Sequence, residues 1–397
     1  MSGTLACGNT DNADGRPDTL QELALAVRAA GGPSYDAAFD RTGADARGIT
    51  AAFLYRTDRL ALVPATADDP VLGASPQVAY RGAALPGNAD VSNPKALNAV
   101  LPADVDGSTG VDGSNVYTRA PQVALFDVVA APGSGEHYRI WAISNHFSSG
   151  PDTRIGQRTE QAAYGAALVT AIEATHAGAR VIFGGDLNVF PRPDDPVPSH
   201  PGDQLGPLYN AGLHNLWDDL VAGAPAAAYS YVFDGQAQTL DNLFVNPALY
   251  RDLIQMRAAH INADFSAGVP GRGASDHDPQ VARFHSRAAL SVGDASVVEG
   301  DRGTTDLVFP VSLSRPLSQP LTFCATAVPG TARAGVDFEP YAACRTVPAG
   351  QTAASVAVRV RGDRVREPDE RLTLVVAGLA QVRLTDPTAT GTIRNDD

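Results

Sequence analysis

In ARVIFGGDLNVF (179–190) the apolar run Val181-Ile182-Phe183 leads into two glycines, a carboxylate and an amide. The apolar half is the pattern of a buried strand, and Gly184-Gly185-Asp186-Leu187-Asn188 is the loop into which it emerges. Just upstream, RTEQAAYGAALVTAIEATHAG (158–178) has the spacing of a long helix. Before that helix, QVALFDVVA (122–130) and YRIWAISNHF (138–147) read as strands, and after the central run so do YSYVF (229–233), TLDNLFVN (239–246) and QVARFHS (280–286). Toward the start, TLQELALAVRAAG (19–31) predicts a helix with a glycine stop. ITAAFLYR (49–56) and RLALV (59–63) predict two strands around a Thr57-Asp58 turn, and residues 64–118 an irregular excursion rich in Pro, Gly, Asn, Asp and Ser. Few helices among many strands indicate an α+β sandwich rather than a doubly wound sheet.

The texture changes at HSRAALSVGDAS (285–296). From there, short Val- and Thr-rich strands alternate with Pro and Gly turns, the pattern of a β-sandwich. Two domains follow, 1–287 and 288–397. The second carries 13 acidic and 11 basic residues, so nearly all of the net charge of −14 sits in the first. A chain that holds nucleic acid by counterion release is normally basic, so strong passive DNA binding is excluded. Acidic residues gathered around cations fit the balance better. No apolar run reaches a membrane-helix length of roughly 20 residues, and the first residues show no signal peptide. Of the three cysteines, Cys324 and Cys344 fall within one β-module, as a disulfide or as two separate buried thiols, and Cys7 lacks an evident mate.

Four segments place polar groups at strand ends: Ser144-Asn145-His146-Phe147, Gly184 to Asn188, Leu240-Asp241-Asn242 and Ser275-Asp276-His277-Asp278-Pro279. Taken singly, a Gly-Asp-x-Asn is an ordinary turn and a lone histidine an ordinary structural one. Asp241 inside an apolar strand asks for more, because an unpaired buried carboxylate is costly. Asp186, Asn188 and Asp276 offer the oxygen atoms a hard cation takes, and an imidazole tied to a carboxylate, His277 with Asp241, has its orientation fixed. His137, His176, His200, His214, His260 and His285 have no such company and read as structural.

In this order the segments resemble the endonuclease/exonuclease/phosphatase superfamily, to which deoxyribonuclease I belongs, and within it a secreted bacterial nuclease-like branch. TRAPQVALF (118–126), SNHFSSG (144–150), GQRTEQAA (156–163), GDLNVF (185–190), YSYVFDGQAQTLDNLFVN (229–246) and SDHDP (275–279) carry the likeness. It implies a four-layer α/β/β/α sandwich and a metal-dependent phosphodiesterase using Mg²⁺ or Mn²⁺ on nucleic acid. It further implies catalytic roles for His146, Asp186, Asn188, Asp241 and His277, metal contact by Asp186, Asn188 and Asp276, and substrate contact by Asn145 and Arg119. The family's early metal-binding Glu, in a Leu-Gln-Glu context, has no counterpart, and Asn242 stands where a His is common. The first departure implies a catalytic domain incomplete at its N-terminus, with weak or no turnover.

Residues 288–397 resemble a Calx-beta domain through SVVEGD (296–301), GTARAGVDFEP (330–340), VPAGQTAASVAV (347–358), GDRVREPDERLTLVV (362–376) and TATGTIRNDD (388–397). The likeness implies an immunoglobulin-like sandwich binding Ca²⁺ through Glu299, Asp337, Asp363, Glu367, Glu370 and Asp396, and an extracellular or cell-surface setting. Two other readings stand beside a nuclease: a non-catalytic surface binding protein, and a phosphodiesterase for a phospholipid or small phosphoester.

Overall fold

In the computed structural model, the apolar run Val181-Ile182-Phe183 lies inside a sheet, flanked on both sides by partner strands. The described residues are 19–45, 48–81, 89–99, 116–129, 137–150, 153–190, 203–265, 275–317, 319–377 and 382–397. Cys7, His200 and parts of the 64–118 excursion fall outside them. The chain separates into two compact units, Met1–Val129 with Arg139–Phe284, and Ala130–Tyr138 with His285–Asp397.

The first unit opens with α1 (Thr19–Ala29), β1 (Tyr35–Ala38), β2 (Phe53–Arg56), β3 (Leu60–Leu62) and β4 (Lys95–Ala96). Next come β5 (Gln122–Val128), β6 (Tyr138–His146), α2 (Ile155–Thr175) and β7 (Val181–Asp186). It closes with α3 (Gly206–Asn210), β8 (His214–Asn215), α4 (Leu216–Gly223), β9 (Tyr231–Phe233), β10 (Gln236–Gln238), β11 (Asp241–Val245), α5 (Pro247–Tyr250), β12 (Leu253–Ala258) and β13 (Gln280–Phe284). A seven-stranded sheet runs β3-β5-β6-β7-β11-β8, with β4 also on β5. The architecture is mixed α/β and strand-rich. In place of the second full sheet of a four-layer sandwich, the described residues form three two-stranded ribbons, β1–β2, β9–β10 and β12–β13.

The pairing of two strands differs from expectation. β2 and β3 flank the Thr57-Asp58 turn but do not pair: β2 takes β1, and β3 takes β5. Extended residues can be read from sequence, but their partners depend on which strand edge is available. The excursion is irregular over its described residues apart from β4, as its composition indicates, yet it is packed. Val71, Leu72, Val78, Leu97, Val116 and Tyr117 are buried in the main core, and buried Lys95 donates Nζ to the carbonyls of Gly73 and Asp90.

α2 starts three residues earlier than its periodicity indicates and crosses the sheet closely at Gly165, where a Cβ would come 2.4 Å from the ring of Phe183. Its first turns bury polar side chains instead of apolar ones. Gln161 Oε1 accepts the Ser148 N–H at 3.0 Å, Gln157 Oε1 accepts from Ser148 Oγ at 2.7 Å, and Arg158 Nη1 donates to the carbonyls of Ser148 and Gly150 at 3.1 and 2.8 Å. The helix therefore fastens the loop that follows His146.

The second unit contains β14 (Ala289–Val292), β15 (Ala295–Val298), β16 (Gly303–Leu313), β17 (Leu321–Pro329), β18 (Ala342–Val347), β19 (Ala353–Gly362), β20 (Glu370–Val376), β21 (Arg383–Asp386) and β22 (Thr388–Arg394). They form a four-stranded sheet, β19-β16-β14-β21, and a five-stranded one, β15-β22-β20-β17-β18. β16 alternates buried and exposed residues along its second half, and Leu307, Phe309, Phe323, Phe338, Val358 and Leu372 share one apolar core. Cys324 and Cys344 are direct cross-strand partners on β17 and β18 and form a disulfide. No helix among the described residues is long and apolar enough to cross a membrane.

Candidate active site

β6 and β7 run parallel with His146 opposite Asp186, and β7 and β11 run antiparallel with Asp241 opposite that same Asp186. Three adjacent strands thus carry His146, Asp186 and Asp241 in one register row. Two glycines allow the strands to meet this closely. A Cβ on Gly185, whose φ is +138°, would lie 2.0 Å from the Asn145 carbonyl oxygen, and one on Gly184 would lie 2.5 Å from that of Asn242.

The fourth member arrives from far along the chain. His277 makes an isolated antiparallel bridge to Tyr231, and its Nδ1 lies 2.7 Å from Asp241 Oδ2. The same carboxylate oxygen accepts from Ser230 Oγ at 2.7 Å. Ser230 is fully buried, and its backbone carbonyl takes the Asp278 N–H at 2.7 Å, so one residue links both segments. Ligand atoms of Asp186, Asp241 and His277 all lie within 4.8 Å of one another.

His146 faces Asp186, with Nε2 3.7 Å from Oδ2. Its Nδ1 stands 2.8 Å from Arg119 Nη1, while Arg119 Nε reaches Asp45 Oδ2 at 3.4 Å. A guanidinium can only donate, so Nδ1 must accept and the ring proton resides on Nε2, toward Asp186. Burial first, and then the Arg119 charge, lower the His146 pKa to about 4, which keeps the ring neutral near pH 7.

The other groups shift the opposite way. The hydrogen bond to Asp241 is the main reason His277 rises to about 9, so it is an imidazolium at neutral pH. Burial, then the charge of Asp241, raise Asp186 to about 6, against a lowering hydrogen bond from the Asn188 N–H at 3.0 Å. The His277 charge offsets this only in part, so Asp186 still wants a second counter-charge. A hard divalent cation supplies one, and the oxygen-rich donor set fits it.

The remaining sequence candidates divide. Asn188 adopts a left-handed conformation at φ +52°, and its amide NH₂ donates to the Phe147 carbonyl at 3.2 Å, leaving the amide oxygen as its ligand atom. Asp276 is exposed and acts on Asp186 and His277 through charge, outside the close group that Asp186 makes with Asp241 and His277. Asn145 is set apart from the site: it is 4% exposed, and its Nδ2 donates to the Ile143 carbonyl. Neighbours on a strand point to opposite faces, so Asn145 and His146 cannot both face substrate. Arg119 touches His146 rather than open space.

Sequence reasoning missed Ser230, Asp45 and the company of three histidines. His260 Nδ1 lies 2.9 Å from Asp278 Oδ2, His214 Nε2 lies 3.1 Å from Asp219 Oδ2, and His176 Nε2 lies 3.8 Å from Asp69 Oδ2. Asp278 Oδ1 also accepts the N–H groups of Ile261, Asn262 and Ala263, and Asn262 Nδ2 donates to the His277 carbonyl. The pair thereby braces the loop behind His277. Only the Ser230 signal was legible, as a polar residue within the aromatic run YSYVF.

In the second unit, ligand atoms of Asp337, Glu367 and Glu370 lie within 4.8 Å of one another. Glu299 is 6% exposed and feels the charges of Asp363, Glu367 and Asp396. Burial, then Asp337, raise Glu370 to about 7. All six acids expected at a calcium site are therefore electrostatic neighbours, three of them closely. Asp363 and Asp396 also cap backbone N–H groups, those of Val365 and Gly300.

No protein-family model matches this chain, and no curated protein matches it. Solved structures are similar in part, among them the three that follow. The apo-form Calx CBD1 domain is 22% identical, covers 28% of this chain and 99% of its own, and gives a TM-score of 0.25. Truncated TDP2 from Caenorhabditis elegans is 17% identical over 46% of this chain and 62% of its own, with a TM-score of 0.27. An AP endonuclease from Archaeoglobus fulgidus is 16% identical over 40% of this chain and 64% of its own, again at 0.27. The chain thus spans less than two thirds of the latter two. At such scores the likenesses say nothing about chemistry.

Proposed function

We propose that the first unit is a metal-dependent phosphodiester hydrolase of the deoxyribonuclease I-like kind acting on nucleic acid, and that the second is a calcium-binding sandwich, in an extracellular or cell-surface protein. The register row of His146, Asp186 and Asp241, completed by His277, is the observation that carries this reading. A divalent cation held by Asp186 and the Asn188 amide oxygen, with Asp276 nearby, would neutralise charge on the phosphoryl oxygens.

The chain's own groups divide the rest of the work. His277, oriented by Asp241 and Ser230, presents its Nε2–H to a non-bridging phosphoryl oxygen. Asp186 orients the attacking water. As the new P–O bond forms, the water gives up a proton to the Asp186 carboxylate; the ester P–O bond breaks, and the departing oxygen, held by the Nε2–H of the neutral His146, takes a proton from solvent. The early metal-binding glutamate of the resemblance has no counterpart here, so weak or no turnover is expected of this chain.

The test is plasmid nicking with Mg²⁺ or Mn²⁺. Slow nicking that is lost on adding chelator and on Asp186→Ala or His277→Ala supports the proposal. Intact plasmid together with release of a phospholipid head group moves it to a lipid substrate, and no turnover of either substrate together with no Mn²⁺ binding that Asp186→Asn removes overturns it.

A further inference from the structure

β9 and β10 form a two-residue hairpin closed by Asp234-Gly235, with φ values of +48° and +78°. Both turn residues take the left-handed conformation that fits the twist of a tight hairpin, so the ribbon is preorganised. Along β9, Tyr231 and Phe233 share a face, since alternate strand residues do. Their rings stack with centroids 6.3 Å apart and planes at 15°. Tyr231 also lies against His277, with centroids 4.7 Å apart. A row of flat rings therefore leads from the His277 imidazole outward and ends at Phe233, which is 55% exposed.

The facing strand adds a second chemistry. Gln238 is the direct cross-strand partner of Tyr231, and Gln236 of Phe233. Directly opposed residues project from the same side of a ribbon. Rings and carboxamides therefore alternate over one surface beside the site. An acyl chain gains nothing from amides, whereas a heteroaromatic base has a π-face for the rings and an edge of donors and acceptors for the amides.

We infer that Phe233, with Tyr231 behind it and Gln236 and Gln238 alongside, is a stacking platform for an unpaired nucleobase next to the phosphate held at His277. The inference rests on the phosphodiesterase reading and narrows its substrate to strands whose bases are free to splay. It also answers the charge problem. A unit carrying almost the whole −14 cannot draw in a strand by counterion release. Stacking does not depend on net charge, and it tolerates any base because each has a π-face. In duplex DNA those faces are occupied by neighbouring bases, so an intact helix cannot use the platform.

The experiment measures fluorescence anisotropy of the full chain in chelator, with a short labelled oligothymidylate, a base-free strand of equal length, and a hairpin duplex. The wild-type chain should bind oligothymidylate more tightly than either other probe. Phe233→Ala should weaken oligothymidylate binding by about tenfold, within the range for loss of one stacked base, leave the base-free strand unchanged, and be rescued by Phe233→Trp. Phe233 is exposed, so its truncation should not disturb folding. Equal losses on both strands, no preference for bases, or no binding at all would overturn the inference. So would a Phe233→Ala effect confined to phosphatidylcholine vesicles, which would mark a lipid-facing surface. Binding and cleavage fail separately. Base-dependent binding without metal-dependent nicking refutes the hydrolase alone, and nicking indifferent to Phe233 refutes the platform alone.

Discussion

Asp186 and Asp241 are direct partners in the antiparallel ladder between β7 and β11. Two carboxylates opposed in this way repel each other, and each has a different remedy. Asp241 takes hydrogen bonds from Ser230 and His277. Asp186 receives a single backbone N–H at Oδ1 from Asn188, and its pKa climbs.

The asymmetry gives His277 a testable titration. With its pKa raised from 6.5 to about 9, largely through Asp241, its contribution to metal-free stability is fully present below pH 6.5 and is lost as pH rises through 9. Asp241→Asn should return the His277 titration toward its ordinary range and flatten that alkaline loss. The same change should reduce nicking by about 100-fold. NMR titration of the His277 ring and thermal melts across pH provide the check. An unmoved titration would show that the carboxylate does not hold the ring.

Metal binding should track the proton on Asp186. Because that carboxyl titrates near 6 in the metal-free chain, Mn²⁺ affinity measured by calorimetry should rise between pH 5 and pH 7 (a tenfold gain for each unit is the limit for displacing one proton). Asp186→Asn should remove both the binding and its pH dependence. Binding that persists in this variant places the cation elsewhere.

Calcium should stabilise the second unit. Glu370 is raised to about 7 by burial and Asp337, so without cation the cluster is strained by its own charge once pH passes neutrality. Added Ca²⁺ should raise the melting temperature of the sandwich at pH 8, and less at pH 6, where Glu370 holds a proton. At a concentration about 100 times the dissociation constant the gain is about 2.7 kcal/mol. Glu370→Gln and Asp337→Asn should each abolish most of it, and a shift that both variants retain would point to another site.

Gly185→Ala should cost about 2–3 kcal/mol of stability in denaturant melts. The new methyl group would fall 2.0 Å from the Asn145 carbonyl oxygen at a φ of +138°. The strand ends carrying His146 and Asp186 would be pushed apart, so activity should fall further than the loss of folded protein accounts for. Wild-type stability and turnover in this variant would mean that the two strands do not approach so closely.

Local chemistry made much of this legible. Apolar runs marked the strands around 122–128, 138–146, 181–186 and 241–245, and polar residues at their ends marked His146, Asp186 and Asp241 as candidates. Cross-strand pairing lay beyond reach, because each strand carries its own alternation but no record of its partner. For that reason β2 found β1 instead of β3, and the short segments β1 and β12 escaped notice. Burial lay beyond reach too. Asn145 and His146 are equivalent in composition, and only the direction each takes from the sheet separates a buried amide from a site imidazole.

The sequence by itself determined which side chains were available: two carboxylates, two imidazoles, the glycines that make room for them, and a β-module with its acids in loops. The tertiary structure alone decided their relations. Residues up to 131 positions apart, such as His146 and His277, meet across the ends of neighbouring strands. There, burial and charge set pKa values near 4, 6 and 9 on groups that would otherwise titrate near their ordinary values. Identity is written locally, but desolvation and distance are properties of the packed chain.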